Sequence, residues 1–318
     1  MKPGKDRKPE AEMDFRAGLS GRLRPVAAAA AALLALVALG GCVTDGDSAP
    51  TTAAEGIRSS RVSYQIGGTG TTLPAQTIRG RLNIPASDKP VPAVVLLHGS
   101  AGVDGRGAFH AAGLNAAGIA TFEIEMFSSG GRPSRGLFAT VPHSIGALFY
   151  LADRPEIDPK RIGSMGFSWG GGMAILNTMQ RTTAVPQRPD VRYVANVAFY
   201  PVCYVFSPST PGGPKITVGR MTGAQLLVLA GEKDDYDTPD ACERFRNDLE
   251  PDQRKDVTVE IFPGATHKWD GGRNEIFNDI VARNGAGGVV RITADRELAA
   301  RSRAMSVAFF RKHFGMDD

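Results

Sequence analysis

One six-residue stretch, Gly166-Phe167-Ser168-Trp169-Gly170-Gly171, limits the folds open to this chain more than any other feature. It sets a serine between glycines, directly after Arg161-Ile162-Gly163-Ser164-Met165 and directly before a helix-like segment. A chain that turns from strand to helix at a single serine holds that serine in a strained backbone conformation. Glycines two before and two after let strand and helix approach closely. The arrangement, a nucleophile elbow, would hold Oγ out at the carboxyl edge of a sheet. The plainer alternative is a glycine-rich helix start carrying a common residue, so the surroundings of the serine decide between the two.

Those surroundings alternate. Short apolar runs rich in β-branched residues or leucine, at 93–97, 119–124, 161–166, 193–199, 225–230 and 257–262, lack the clean period of two expected of half-exposed strands. They therefore read as strands buried on both faces. Between them lie helical patterns at 106–117, 144–154, 170–180 and 239–249, with a closing helix over 294–313. Alternation of this kind predicts an α/β fold, a mostly parallel central sheet with helices on both faces. Residues 61–66 and 75–84 do alternate, with Gly67-Gly68 and Gly70 between them, and predict a leading antiparallel hairpin.

Ligands bind such sheets at the carboxyl ends of the strands, and three further segments fall there. Leu97-His98-Gly99-Ser100-Ala101-Gly102 offers backbone N–H groups at Ser100 or Ala101 that, with that of Trp169, would hold an oxyanion. His98 is expected to shape this loop through packing and hydrogen bonds. Gly231-Glu232-Lys233-Asp234-Asp235-Tyr236-Asp237-Thr238-Pro239 supplies carboxylates that would orient a histidine. Asp234 is favoured as that acid, with Asp235 second, and Asp237 is expected to cap the helix beside Pro239. Phe262-Pro263-Gly264-Ala265-Thr266-His267 supplies the general base, His267. His110, His143 and His313 fall in or beside helices and are expected at the surface. No other histidine, cysteine or carboxylate stands at ligand spacing around them, so neither a metal nor a cofactor is expected. The glycine-rich segment 127–138 would overhang the pocket, where Arg132 and Arg135 either grip a substrate carboxylate or are solvated loop charges.

The N-terminus carries a separate signal. Basic residues Arg16, Arg22 and Arg24 precede fourteen apolar residues, 26–39, which are too few for a spanning helix but suit the apolar region of a secretory signal. The ending Leu39-Gly40-Gly41-Cys42 resembles a bacterial lipobox, in which the cysteine carries lipid. The expected organisation is a signal peptide over 1–41, with Met13 as a possible start, a flexible tether over 42–60 and one domain over 61–318. That would place the protein at a bacterial cell envelope, anchored to the membrane through an N-terminal lipid. Removing the seven basic and four acidic residues of 1–41 from totals of 37 and 33 leaves 30 against 29, so the domain is nearly neutral and no nucleic-acid partner is expected. With Cys42 lipidated, Cys203 and Cys242 are free to pair in an oxidising compartment; the disulfide is favoured over two buried thiols because both fall in loops expected at the same edge of the sheet.

The chain order Ser168, acid, His267 is that of the α/β hydrolases. From about residue 76 to 314 the sequence resembles the dienelactone hydrolase family. The matching pieces are Leu96-Leu97-His98-Gly99, Arg154-Pro155-Glu156-Ile157-Asp158-Pro159-Lys160-Arg161-Ile162-Gly163 leading into the elbow, Gly231-Glu232-Lys233-Asp234, and Phe262-Pro263-Gly264-Ala265-Thr266-His267. The resemblance implies an α/β-hydrolase fold and a small-molecule ester or lactone as substrate. The enzymes that name the family use cysteine as nucleophile where this chain has Ser168, which points away from dienelactone toward a general ester or lactone hydrolase. The rival readings are a non-catalytic envelope lipoprotein retaining the fold, and an acyltransferase or peptidase using the same residues.

Overall fold

The computed structural model describes residues 56–67, 75–127, 136–183, 188–212 and 215–316. The expected signal peptide, Cys42, Arg132 and Arg135 lie outside them. An eight-stranded sheet runs in the order β1-β2-β4-β3-β5-β6-β7-β8. Its strands are β1 (Ile57–Ile66), β2 (Gln76–Pro85), β3 (Val91–Leu97), β4 (Ala120–Ile124), β5 (Ile157–Phe167), β6 (Ala195–Phe199), β7 (Gln225–Gly231) and β8 (Val257–Phe262). β2 pairs antiparallel with both β1 and β4, and every pairing from β4 through β8 is parallel. The helices are α1 (Arg106–Ala116), α2 (Val141–Ala152), α3 (Trp169–Leu176), a short α4 (Gln180–Thr183), α5 (Ala241–Asp248), a single turn α6 (Ala282–Gly285) and α7 (Arg296–His313). This is the expected α/β-hydrolase fold with its leading hairpin.

The period-two geometry of a strand explains the continuous apolar runs. In β3, Ala93, Val95 and Leu97 enter one core with α2 and α3, while Val94 and Leu96 enter the other with α1 and α7. β7 does the same, sending Leu226 and Val228 one way and Leu227 and Leu229 the other. A strand with a core on each side has no polar face to show. β2 differs: Ile78, Leu82 and Ile84 are buried, with exposed Arg79 and Arg81 interleaved.

Four local differences from the sequence reading have physical causes. β1 begins at Ile57, inside the expected tether, because β2 runs on to Pro85 and pairs with it there. α3 stops at Leu176 because the chain turns away to another partner: Gln180 N–H donates to Arg220 O and Thr222 N–H to Thr178 O. α5 begins at Ala241 with Asp240 before it. Asp237 is not its cap but a half-buried carboxylate accepting from the backbone N–H groups of Cys203 and Tyr204. The sequence reading missed a two-stranded sheet of β9 (Glu275–Asp279) and β10 (Gly288–Ile292). β9 is largely exposed and both strands are too short to show a period, and the sheet is held from outside, by Arg283 N–H on Asp235 O and Arg291 N–H on Asp235 Oδ2, both at 2.8 Å.

Candidate active site

Ser168 leaves β5 with φ 54° and ψ −108°, a left-handed backbone costing on the order of 1–3 kcal/mol for a residue with a side chain. The glycines explain how the turn closes. A Cβ on Gly166 would sit 1.8 Å from Gly170 O, and one on Gly170 would sit 1.9 Å from Leu97 O. The second clash also shows that the loop after β3 lies directly against the elbow. Ser168 N–H donates to Phe199 O at 2.9 Å, which fixes the serine relative to β6 and leaves its side chain half-buried at the sheet edge.

His267 comes to this point from the loop after β8. Its Nε2 lies 2.9 Å from Ser168 Oγ and its Nδ1 lies 2.7 Å from Asp234 Oδ2. Since the carboxylate only accepts, Nδ1 carries the proton and Nε2 is left to accept from the serine. Asp234 is in turn fixed by Tyr236 N–H, which donates to its Oδ1 at 2.9 Å. The structure separates the two candidate acids: the carboxylate of Asp235 faces β10, where it accepts from Arg291 N–H. Three residues from three loops therefore form one hydrogen-bonded line. The imidazole is also held on its sides, with the Tyr200 and Tyr236 rings centred 4.7 and 4.5 Å away.

Opposite them, Gly102 N–H donates to Gly99 O and closes a turn whose middle residues are the exposed Ser100 and Ala101. His98 shapes this turn: Met126 N–H donates to its Nε2 at 2.9 Å, so Nδ1 is the protonated nitrogen and donates to Gly99 O at 2.8 Å. Burial lowers the His98 pKa and keeps the ring neutral. Trp169, at the first position of α3, anchors its indole by donating to Thr140 Oγ1 at 3.1 Å.

Two of the histidines expected at the surface are buried. His143 lies beneath the loop after β4, its pKa lowered by burial, and its carbonyl accepts from Tyr64 OH. His110 is wholly enclosed and pairs with Asp270 Oδ2 at 2.9 Å. Around that pair lies a polar group the sequence reading did not find, made of Asp104, Arg106 and Tyr200. Two signals were available: Tyr200 directly follows a strand end, and Asp270 stands three residues after His267. His313 is half-buried, its ring 4.5 Å from that of Phe309.

A second carboxylate shares the neighbourhood of the acid. Asp237 is pushed up to about 8, first by burial and then by the charge of Asp234. Its loop is tied down by a disulfide between Cys203 and Cys242, the expected pair. Among the described residues, the group of possible metal ligands formed by Cys203, Asp237 and Cys242 has both sulfurs bonded to each other.

A model of the dienelactone hydrolase family matches residues 137–314, which span the elbow, the acid loop and the histidine loop. The chain belongs to the dienelactone hydrolase family. With that membership it is a carboxylic-ester hydrolase. No curated protein matches it. Among solved structures, it is similar to an esterase from the archaeon Pyrobaculum calidifontis, at 16% identity and TM-score 0.54, over 79% of this chain and 85% of that one. It is also similar to Thermogutta terrifontis esterase 2 phosphoramylated by tabun, at 13% identity and TM-score 0.56, over 80% of this chain and 95% of that one. A dienelactone hydrolase-like promiscuous phosphotriesterase from metagenomic libraries matches at 17% identity and TM-score 0.52, over 80% and 98%. At these identities the likeness establishes the shared fold.

Proposed function

We propose that this family member is a serine hydrolase that opens carboxylic esters or lactones of small molecules through an acyl-enzyme. The observation that supports it is the line from Asp234 through His267 to Ser168, with contacts of 2.7 and 2.9 Å ending on a serine at φ 54°. His267 Nε2 takes the serine proton as Oγ attacks the carbonyl, and Asp234 holds the Nδ1 proton and stabilises the imidazolium. The oxyanion forms against the backbone N–H groups of Trp169 and of the Ser100–Ala101 turn, where one donor is worth about 3 kcal/mol of barrier. The proton returns to the leaving alcohol, and water, activated by the same nitrogen, releases the acid.

Arg132 and Arg135 would add a grip on a substrate carboxylate; Arg132→Ala and Arg135→Ala should then slow hydrolysis of an acidic ester and spare its neutral analogue.

The test of the main reading is labelling of the full chain with a fluorophosphonate, followed by peptide mass spectrometry and an ester panel. Modification at Ser168, and loss of both labelling and turnover in Ser168→Ala, is the expected result. Turnover that survives in Ser168→Ala would overturn it. For its place in the cell we propose a bacterial envelope and a lipid on Cys42, a reading that the Cys203–Cys242 bond supports because disulfides persist in oxidising compartments. Incorporation of labelled palmitate that disappears in Cys42→Ala checks it.

A further inference from the structure

Tyr200 is held in a way that core filling does not require. It is 1% exposed and has φ 37°, a left-handed backbone in a bulky residue. Such conformations persist only where the surroundings over-determine them. Here the surroundings are charged. The phenol donates to Asp270 Oδ1 and accepts from the Arg106 guanidinium at 3.0 Å. Arg106 is also bound by Asp104, with Nε 2.8 Å from Oδ1 and Nη2 2.8 Å from Oδ2. Asp270 uses its other oxygen on His110 at 2.9 Å. Burial holds the phenol pKa well above its ordinary value, so the hydroxyl stays a donor.

The same group touches both halves of the reaction centre. The Tyr200 ring rests on the His267 imidazole at 4.7 Å. The Arg106 guanidinium lies against Gly99, so close that a Cβ there would be 2.9 Å from Nη2. Asp270 belongs to the loop that carries His267, and Lys268 between them reaches Asp104 Oδ2 at 3.6 Å and Glu275 Oε1 at 2.9 Å. The oxyanion turn, the strand end that backs the serine, and the loop of the base are thus tied by one set of buried ionic hydrogen bonds. Phenylalanine at 200 would fill the same volume but would leave Arg106 and Asp270 without their shared partner.

We infer that Tyr200 is a positioning residue for the hydrolysis, its hydroxyl locked by Arg106 and the Asp270–His110 pair so that its ring fixes the His267 imidazole relative to the turn at Gly99. The inference rests on the serine-hydrolase reading. A ring pinned at its hydroxyl cannot slide along the sheet edge, so the imidazole resting on it keeps Nε2 on Oγ while the proton moves. Small misplacements of a base lower the chemical step and spare substrate binding.

The experiment uses full-length Tyr200→Phe, Asp270→Asn and the double variant, with kcat and KM measured on a soluble ester and kcat expressed per serine titrated by fluorophosphonate. Each single variant is expected to lower kcat per titrated serine by about tenfold with KM within about twofold, and the fluorophosphonate labelling rate is expected to fall in parallel. The double variant is expected to lose little more than the worse single one, since both act along one connection. Arg106→Lys keeps the cation but cannot hold Asp104 and Tyr200 together, and gives the same split of kcat from KM where the phenylalanine variant does not fold. A fall confined to the titratable fraction or the melting temperature, with kcat per titrated serine unchanged, would overturn the inference and leave the hydrolase reading intact. Ester turnover by wild-type protein that takes no label at Ser168 would overturn both.

Discussion

Among the described residues stand two histidine–aspartate pairs, His267–Asp234 and His110–Asp270, with nearly equal contacts of 2.7 and 2.9 Å. They differ in what lies beyond the imidazole. His267 turns its second nitrogen to the strained hydroxyl of Ser168 at an open edge. His110 Nδ1 has no hydrogen-bond partner among the described residues, and its side chain is 0% exposed beside Phe167 and Phe199. An Asp–His pair orients an imidazole, and it becomes a base only where an acidic proton and a reacting group can reach the free nitrogen. The sealed pair instead ends a chain of hydrogen bonds through Tyr200 to Arg106.

Breaking each pair in the same way should separate them by the largest effect available. Asp234→Asn presents an amide to Nδ1 and favours the wrong tautomer, with an expected loss of about 10⁴ in kcat. Asp270→Asn should cost only about tenfold. Ser168→Ala, the limit of the first pair, should lose on the order of 10⁶. Steady-state rates on one neutral ester check all three. Similar losses for the two asparagine variants would erase the distinction between a reacting pair and a supporting one.

Stability should rank them the other way. Asp270→Ala strands His110, Tyr200 and Arg106 in the interior, and removal of one partner from a buried ionic group typically costs about 3–5 kcal/mol. Asp234→Ala removes one partner of His267 and leaves Ser168 Oγ at its Nε2, with an expected cost of about 1–3 kcal/mol. Urea denaturation of the two alanine variants measures the difference. Asp234→Ala as the more damaging would mean that the sealed pair adds little to the fold.

Why one pair was legible in the sequence and the other was not follows from local signals. Ser168 announces itself because a strand-to-helix turn needs Gly166 and Gly170 at fixed spacing, and His267 and Asp234 follow strands whose apolar runs are continuous. His110 sits mid-helix with no spacing to mark it, and its partner is 160 positions away. Its assignment to the surface failed because helix position says nothing of which face is covered, and here α1 packs its His110 side against Phe167 and Phe199. The hairpin β9–β10 was invisible for a related reason: its fixing contacts run to Asp235 and, from Asp279, to the Tyr236 hydroxyl.

Asp237 sharpens the comparison from the side of Asp234, since it is a half-buried carboxylate bound to backbone N–H groups and not to a histidine. Its pKa of about 8 stands above the ordinary 3.8 because of burial and then the Asp234 charge. The folded state therefore binds a proton that the unfolded chain has released between about pH 4 and 8, and stability from this group falls as pH rises through that window. Asp237→Asn should remove that slope. Urea midpoints at pH 5 and pH 8 measure it, and a wild-type slope equal to that of the variant would mean that Asp237 is ionised throughout.

The smallest expected effect belongs to Asp235, the neighbour of Asp234. Its carboxylate accepts from Arg291 N–H at 2.8 Å and its carbonyl from Arg283 N–H, so it serves β9–β10 and not the imidazole. Asparagine keeps an acceptor oxygen in the same place, and the expected outcome is kcat within about twofold and stability within about 1 kcal/mol of wild type. Two adjacent aspartates, one losing about four orders of magnitude on amidation and the other almost nothing, would show that the acid is chosen by which way the loop aims it. A loss at Asp235 rivalling that at Asp234 would mean that the hairpin itself holds the base in line, and would move the positioning role from Tyr200 to the other side of the imidazole.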